Sequence, residues 1–359
     1  MNLPSLKIGE LTAKIPIIQG GMGVGVSLSS LASAVANEGG IGIISGVQIG
    51  YREKDFEENT LQANIRALKK EIRKARELSP KGILGVNILV AATHYAELVS
   101  TAVKEKIDLI ICGAGLPSTL PKFIKGTKTK IAPIVSSGKA ASVITKLWKK
   151  KFDYLPDLIV VEGHNAGGHL GFSNEDLESS NLKDLNTILK EVLEVTKSLE
   201  DKYNKHIPVV AAGGIFTGKD IAEVIKLGAD GVQMATRFVT TEECDAHINF
   251  KEAYINSNKD DIIIIKSPVG MPGRAINNKF IKSLNENKED HKVKKCYSCI
   301  KHCNPVTTPY CISNALINAV NGDVDNGLIF AGTNAEKLDK ITTVKKLINE
   351  LVTEAENNL

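Results

Sequence analysis

The run Glu162-Gly-His-Asn-Ala-Gly-Gly-His-Leu-Gly171 places two imidazoles, His164 and His169, five residues apart among small side chains. An imidazole exchanges protons near neutral pH, which suits it to general acid–base work. The glycines and alanine beside it leave room for a planar ligand and a substrate. A turn histidine bonded to nearby backbone is the alternative for either residue. Inside a glycine turn that follows the apolar run Leu158–Val161, the active-site reading is expected for His169.

A second chemistry-bearing pattern spans Ile207 to Phe238. Ile207–Ala212 is a short apolar run, and Gly213-Gly214 then removes two Cβ atoms where the chain turns. Ile221, Val224, Ile225 and Leu227 follow at helical spacing, with Gly228 as the stop signal. Gly231–Met234 reads as the next strand, and Ala235-Thr236 supplies small residues at its end. Two successive strand ends of this kind form an anion cradle from backbone N–H groups. Tight βα turns with no ligand are the alternative. The pairing of the loops favours a phosphate, as after strands seven and eight of a (β/α)8 barrel.

A third pattern is Cys296-x2-Cys299-x3-Cys303-x7-Cys311, four thiols within sixteen residues. Such density favours metal ligation over disulfides in a cytosolic chain. Its first three spacings are similar to the iron–sulfur segment of larger flavin barrels related to dienoyl-CoA reductase. Zinc also accepts four thiolates, with His291 or His302 as substitutes for one ligand. A loop of free thiols is the third possibility. Cys112 is expected to line a pocket and Cys244 to pack in the core.

The elements that must position these residues alternate. Ile15-Pro-Ile-Ile-Gln-Gly-Gly-Met-Gly opens with a strand and a glycine loop, and Ser27 is a candidate cap for the helix after it. Strands follow at Ile41, Ile83, Leu109, Ile131 and Leu158, with helical stretches near 57–78, 93–105, 118–125, 139–150 and 183–201 between them. Eight βα units predict a (β/α)8 barrel over residues 1–240. Residues 241–310 are expected to form an insertion covering the active site, including the cysteine-rich loop 296–311. Within it, Glu242–Ser257 reads as a helix, Ser267–Ala275 as a loop, and Asn285–Lys295 as a polar exposed stretch. Residues 311–359 read as C-terminal helices packing on the barrel, at 311–321 and 335–357.

The chain has 359 residues, 24% of them charged, and a net charge of +4. With its lysines scattered, no nucleic-acid partner is expected. No apolar run is long enough for a membrane span, and the N-terminal residues lack an apolar signal core. A cytoplasmic location is therefore expected. The sequence allows a homodimer without specifying one.

Taken together, Pro16-Ile-Ile-Gln-Gly-Gly-Met22, Gly85-Val-Asn87, Glu162-Gly-x-x-Ala-Gly-Gly-His169, Ala211-Ala-Gly-Gly-Ile215 and Gly231-Val-Gln-Met-Ala-Thr-Arg-Phe238 resemble the nitronate monooxygenase family. The resemblance spans roughly residues 5–285 and extends to FMN-dependent enoyl-acyl-carrier-protein reductases and NADH:quinone reductases. It implies a barrel carrying noncovalent FMN. By position it places Gly21 and Met22 along the flavin ring, with Asn87 hydrogen-bonded to it. Glu162 and Gly167 would line the flavin side of the sixth loop. Gly213, Gly214, Gln233, Met234, Ala235 and Thr236 would hold the ribityl phosphate, and His169 matches the active-site histidine. Two departures stand out: His164-Asn165 where relatives carry a non-histidine and Glu, and Ala235 in place of Gly.

The implied reaction is oxidation of alkyl nitronates with oxygen. The alternatives are NAD(P)H-dependent reduction of an enoyl thioester or a quinone, with the Arg274 and Lys279 region meeting a substrate or cofactor phosphate. A flavin-binding electron-transfer protein is the third reading, tied to a cluster in the cysteine loop.

Overall fold

The computed structural model describes residues 2–179, 182–286 and 291–359. Eight parallel strands close into a barrel. They are β1 (Ile17–Gln19), β2 (Ile41–Ser45), β3 (Ile83–Leu89), β4 (Leu109–Gly113), β5 (Lys130–Val135), β6 (Ile159–Glu162), β7 (Val209–Ala212) and β8 (Gly231–Met234). The chain therefore has the α/β barrel architecture its alternation predicts.

Two-residue periodicity divides each strand between two cores. Ile18, Ile41, Ile43, Leu109, Ile111, Leu158, Val160 and Val210 fill the interior. Ile17, Ile44, Leu84, Val86, Ile88, Ile159 and Val161 face the surrounding helices. A short N-terminal hairpin, Leu6–Ile8 against Leu11–Ala13, adds Leu6, Ile8 and Ala13 to the interior cluster. One end of the barrel is thus plugged by apolar side chains. The strands' C-terminal ends remain for polar ones.

The helices begin and end where local chemistry dictates. Ser137 caps Gly138–Phe152, Asp184 caps Leu185–Tyr203, and Thr217 with Asp220 forms a capping box on Gly218–Lys226. Ser27 does not cap Ser29–Asn37; its hydroxyl accepts from Met22 N–H instead. The cap comes from far away, as Asp245 Oδ2 accepts from Leu28 N–H at 2.8 Å and Leu31 N–H at 3.2 Å. That commitment also delays the next helix, which spans only Ile248–Ile255 rather than 242–257. Residues before it make a turn closed by Cys244 N–H on the Thr241 carbonyl, with Glu242 N–H on the Thr342 carbonyl and Cys244 Sγ on the Val26 carbonyl.

Further differences lie in the short elements and the tail. Residues near 118–125 make a 3-10 turn at Leu120–Phe123. Pro272–Ile276, whose first four residues were expected in a loop, is the central strand of a three-stranded sheet between Ile262–Lys266 and Gly168–His169. Pro272 is tolerated there because it opens the strand. The tail is a 3-10 turn at Thr333–Lys337 and a separate helix Val344–Asn358. Between them the β-branched run Ile341-Thr-Thr343 stays extended, bridging Thr342 to Thr241. Part of the polar stretch Asn285–Lys295, residues 287–290, lies outside the described residues.

Candidate active site

At the C-terminal ends of the strands lies a cavity of about 250 Å³. Its floor follows from strand register. Inward-facing positions continue beyond the apolar core to Asn87 on β3, Glu162 on β6, Ala212 on β7 and Gln233 on β8. Ala212 pairs with both Glu162 and Gln233 across the ladder, so these three are neighbours on the rim. Gly21 packs so closely on Asn87 that a Cβ there would stand 2.4 Å from the Asn87 Cβ.

Every residue assigned by sequence to the flavin lines this one cavity, from Gly21, Met22 and Asn87 through Glu162 and Gly167 to Gly213, Gly214 and Gln233–Thr236. His169 lines it as well. The loops after β7 and β8 present the cradle chemistry. Among the described residues, the N–H groups of Gly214, Ile215, Ala235 and Thr236 donate to no protein acceptor. Gly213 and Gly214 have φ of +89° and +95°, which side chains rarely adopt. A Cβ at Gly213 would approach the Gly163 carbonyl oxygen to 2.6 Å, and one at Gly214 would meet Asn165 at 2.9 Å. A larger residue at 214 therefore strikes the sixth loop before it reaches a phosphate.

His169 is held by the three-stranded sheet rather than by the barrel. It lies on the two-residue strand Gly168–His169, paired with Gly273 and Arg274. Its Nε2 is 2.7 Å from Ser267 Oγ, and its ring meets Phe330 edge-on with centroids 4.9 Å apart. Val269 N–H donates to the same Ser267 oxygen at 3.3 Å. The Ser267 hydroxyl can donate to Nε2 or accept from it, since its oxygen has a second lone pair beyond the one Val269 N–H uses. Burial pulls the His169 pKa down to about 4, so the ring is neutral at physiological pH. Glu162 moves the opposite way, pushed by burial to about 7.

His164 has a different environment. It lies outside the cavity lining, with Nδ1 3.1 Å from the Lys183 carbonyl and its ring edge-on to Phe172. Arg274, only 8% exposed, does not reach out for a phosphate. Its Nη1 donates to the carbonyls of His164 and Ala166, both at 2.5 Å, clasping the loop from behind. Lys279 is exposed and pairs with Asp325 at 2.6 Å. Cys112 is fully buried on the outer face of β4 near the Tyr95 hydroxyl, away from the cavity, and its thiol is pushed up to about 12. Cys244 packs in the core.

The cysteine loop docks beside the site. Cys299 lines a small, mainly apolar side chamber that also touches His169. Cys296, Cys303 and Cys311 are near enough to raise the Cys299 thiol electrostatically, after the larger effect of burial. Yet among the described residues no three of His, Cys, Asp or Glu are grouped to hold a metal ion. The expected metal centre is thus not assembled by these thiols as placed.

Several contributors escaped the sequence reading. Phe250, Tyr254, Leu328, Phe330 and the run Ala331–Asn334 all line the cavity. Asn334 Nδ2 donates to the Gly214 carbonyl at 2.7 Å, and Thr333 N–H to that of Asn165 at 3.2 Å. A Cβ at Gly332 would stand 2.9 Å from Thr236 Oγ1. This short segment therefore stitches together the loops after β6, β7 and β8. Its signal was the apolar Leu328-Ile-Phe-Ala run ending in Gly-Thr-Asn.

The closed (β/α)8 barrel carries this cavity, and its family makes the chain a flavin-dependent oxidoreductase. More particularly, the chain belongs to the nitronate monooxygenase family, whose sequence pattern matches residues 5–354. It is 30% identical over 317 residues to a probable nitronate monooxygenase of Staphylococcus saprophyticus, covering 80% of this chain and 82% of the relative. A Staphylococcus aureus protein of the same description is 29% identical over 315 residues, covering 78% and 80%. Among solved structures, FabK from Thermotoga maritima is similar over 96% of this chain and 93% of its own, with TM-score 0.73 and 27% identity. Nitroalkane oxidase from Streptomyces ansochromogenes shares the fold, with TM-score 0.73 and 21% identity over 96% of each chain. No described helix is long and apolar enough to cross a membrane.

Proposed function

We propose that this chain binds FMN noncovalently and oxidises alkyl nitronates with oxygen. The observation that carries the cofactor assignment is the convergence of unpaired N–H groups after β7 and β8 with the ring-facing residues Gly21, Met22 and Asn87 around one cavity. When bound, FMN supplies the two-electron redox chemistry. The protein's own residues do the rest. Gly214, Ile215, Ala235 and Thr236 offer backbone donors to the phosphate, and Asn87 offers an amide to the ring. The side chains of Phe250, Tyr254 and Phe330 exclude water from the substrate side. His169, neutral and oriented by Ser267, donates a hydrogen bond to the nitro group and moves its proton.

A second reading, reduction of an enoyl thioester, is favoured by one feature. The side chamber beside His169 is lined by Val47, Leu89, Leu98, Ile300 and Leu316, surfaces suited to an acyl chain. Against it, Arg274 is engaged with two loop carbonyls, and Lys279 lies on the surface outside the lining of the cavity and of the side chamber.

Anaerobic stopped-flow spectroscopy separates the two. Rapid bleaching of the flavin by propionate 3-nitronate, with none by NADH or NADPH, is the expected result. Bleaching by a nicotinamide and reoxidation by a crotonyl thioester would replace it with the reductase. An electron-transfer role requires Cys296, Cys299, Cys303 and Cys311 to draw together around a cluster. Iron, sulfide and zinc analysis of anaerobically prepared protein tests that ligand set: about one equivalent of cluster or zinc supports it, and neither supports four free thiols.

A further inference from the structure

Glu162 ends β6 on the barrel's inward face, two residues beyond Val160 and four beyond Leu158. Its carboxyl reaches the cavity and makes no hydrogen bond or ion pair with any described residue. Its surroundings carry no countercharge. Ala212 lies across the ladder, and Gly163 and Gly213 flank it. His164 is turned to the Lys183 carbonyl, and the Arg274 guanidinium is engaged with two carbonyls behind the loop. Of the other ionisable side chains lining the cavity, His169 is held neutral and the Tyr254 hydroxyl donates to the Phe330 carbonyl. No Lys or Arg lines it among the described residues.

Half-buried and facing the cavity with no protein partner, the carboxyl keeps both oxygens available for a proton. A cavity without a cation also resists holding two negative charges at close range. We propose that Glu162 is the cavity's proton acceptor: it takes up one proton when negative charge enters and returns it when that charge leaves. The entering charge is the electron pair delivered to the bound flavin by a reducing substrate, or an anionic substrate itself. The balance is simple. One solvent proton forms an O–H bond on a Glu162 carboxylate oxygen, no other bond of the residue changes, and the electrons stay on the flavin. Burial holds the resting pKa near 7, so at pH 8.5 the carboxyl is mostly ionised and ready to accept. The proposal rests on the FMN reading given above.

The test is a reduced-minus-oxidised infrared difference spectrum of the holoenzyme at pH 8.5, after flavin absorbance has established that FMN is bound. A protonated-carboxyl C=O band should appear on reduction, shift in D2O and on ¹³C-glutamate labelling, and vanish in Glu162→Gln. No such band in the wild type, or one that persists in Glu162→Gln, overturns the proposal. Should Glu162→Gln lose FMN, the labelled wild type decides alone, because a band that does not move with ¹³C-glutamate also overturns it. A protein with no flavin absorbance fails the cofactor reading first, and is recognised before any difference spectrum is taken.

Discussion

His164 and His169 belong to one loop, yet the structure gives them opposite surroundings. His164 turns outward to the Lys183 carbonyl, and His169 faces the cavity on a strand that pairs with Gly273 and Arg274. Residue type and proximity to the glycine turn are shared. The difference comes from the strand Pro272–Ile276, which pulls Gly168–His169 into its sheet while Arg274 clasps the His164 and Ala166 carbonyls. The barrel supplies the loop, and a segment about one hundred residues later selects which imidazole is in the site.

Perturbing His169 should have the largest effect. His169→Ala is expected to retain FMN and lose about 10²–10⁴-fold in turnover, the usual worth of a positioned acid–base group. Steady-state kinetics with a flavin-content assay measures both. Next, Arg274→Met strands the buried Ala166 carbonyl, at about 1–3 kcal/mol, and frees the half-buried His164 carbonyl. Its thermal midpoint should fall, and kcat with it. Gly213→Val forces a side chain onto the Gly163 carbonyl at positive φ. Strain of about 1–3 kcal/mol should weaken FMN binding measurably in a fluorescence titration. Last, His164→Ala should leave turnover within about twofold, as for a surface change. A large loss there would erase the distinction between the two histidines.

The two half-buried titratable groups in the cavity should respond to pH with opposite signs. His169 has a folded pKa of about 4, below its unfolded value of 6.5, so the unfolded state binds more protons between them. Stability is therefore lost as pH falls from 6.5 towards 4, and His169→Gln should flatten that part of the curve. Glu162 is raised from 4.5 to about 7, so its contribution is lost as pH rises through that window. Glu162→Gln should make the FMN-free protein more stable at pH 8 and change it little at pH 4. Urea unfolding of the FMN-free variants across pH reads both.

What was legible in the sequence had short-range causes. Alternating apolar runs and glycine stops revealed all eight barrel strands, and small residues at strand ends marked Gly213-Gly214 and Ala235-Thr236. Asn87 and Glu162 were marked by the family resemblance, and the structure shows that strand register turns both to the inner rim. What remained hidden depended on partners distant in the chain. Asp245 caps a helix more than two hundred residues earlier, and Ser267 meets His169 across 98 positions. Pro272-Gly-Arg-Ala looked like a loop because Pro and Gly dominate its composition. It is a strand because Ile262–Lys266 and Gly168–His169 complete its ladder. The cysteine spacing was plain to read, but spacing does not fix whether thiols group around a metal.

The central claim is that one cavity at the strands' C-terminal ends holds FMN between the paired phosphate loops and His169. Titration of flavin-free protein with FMN, followed by quenching or shift of the flavin signal, tests it most directly. The account predicts saturable binding of about one FMN per chain, weakened in Gly213→Val and retained in His169→Ala. Protein that leaves the FMN signal unchanged, or binds it equally well with Val at 213, would contradict it.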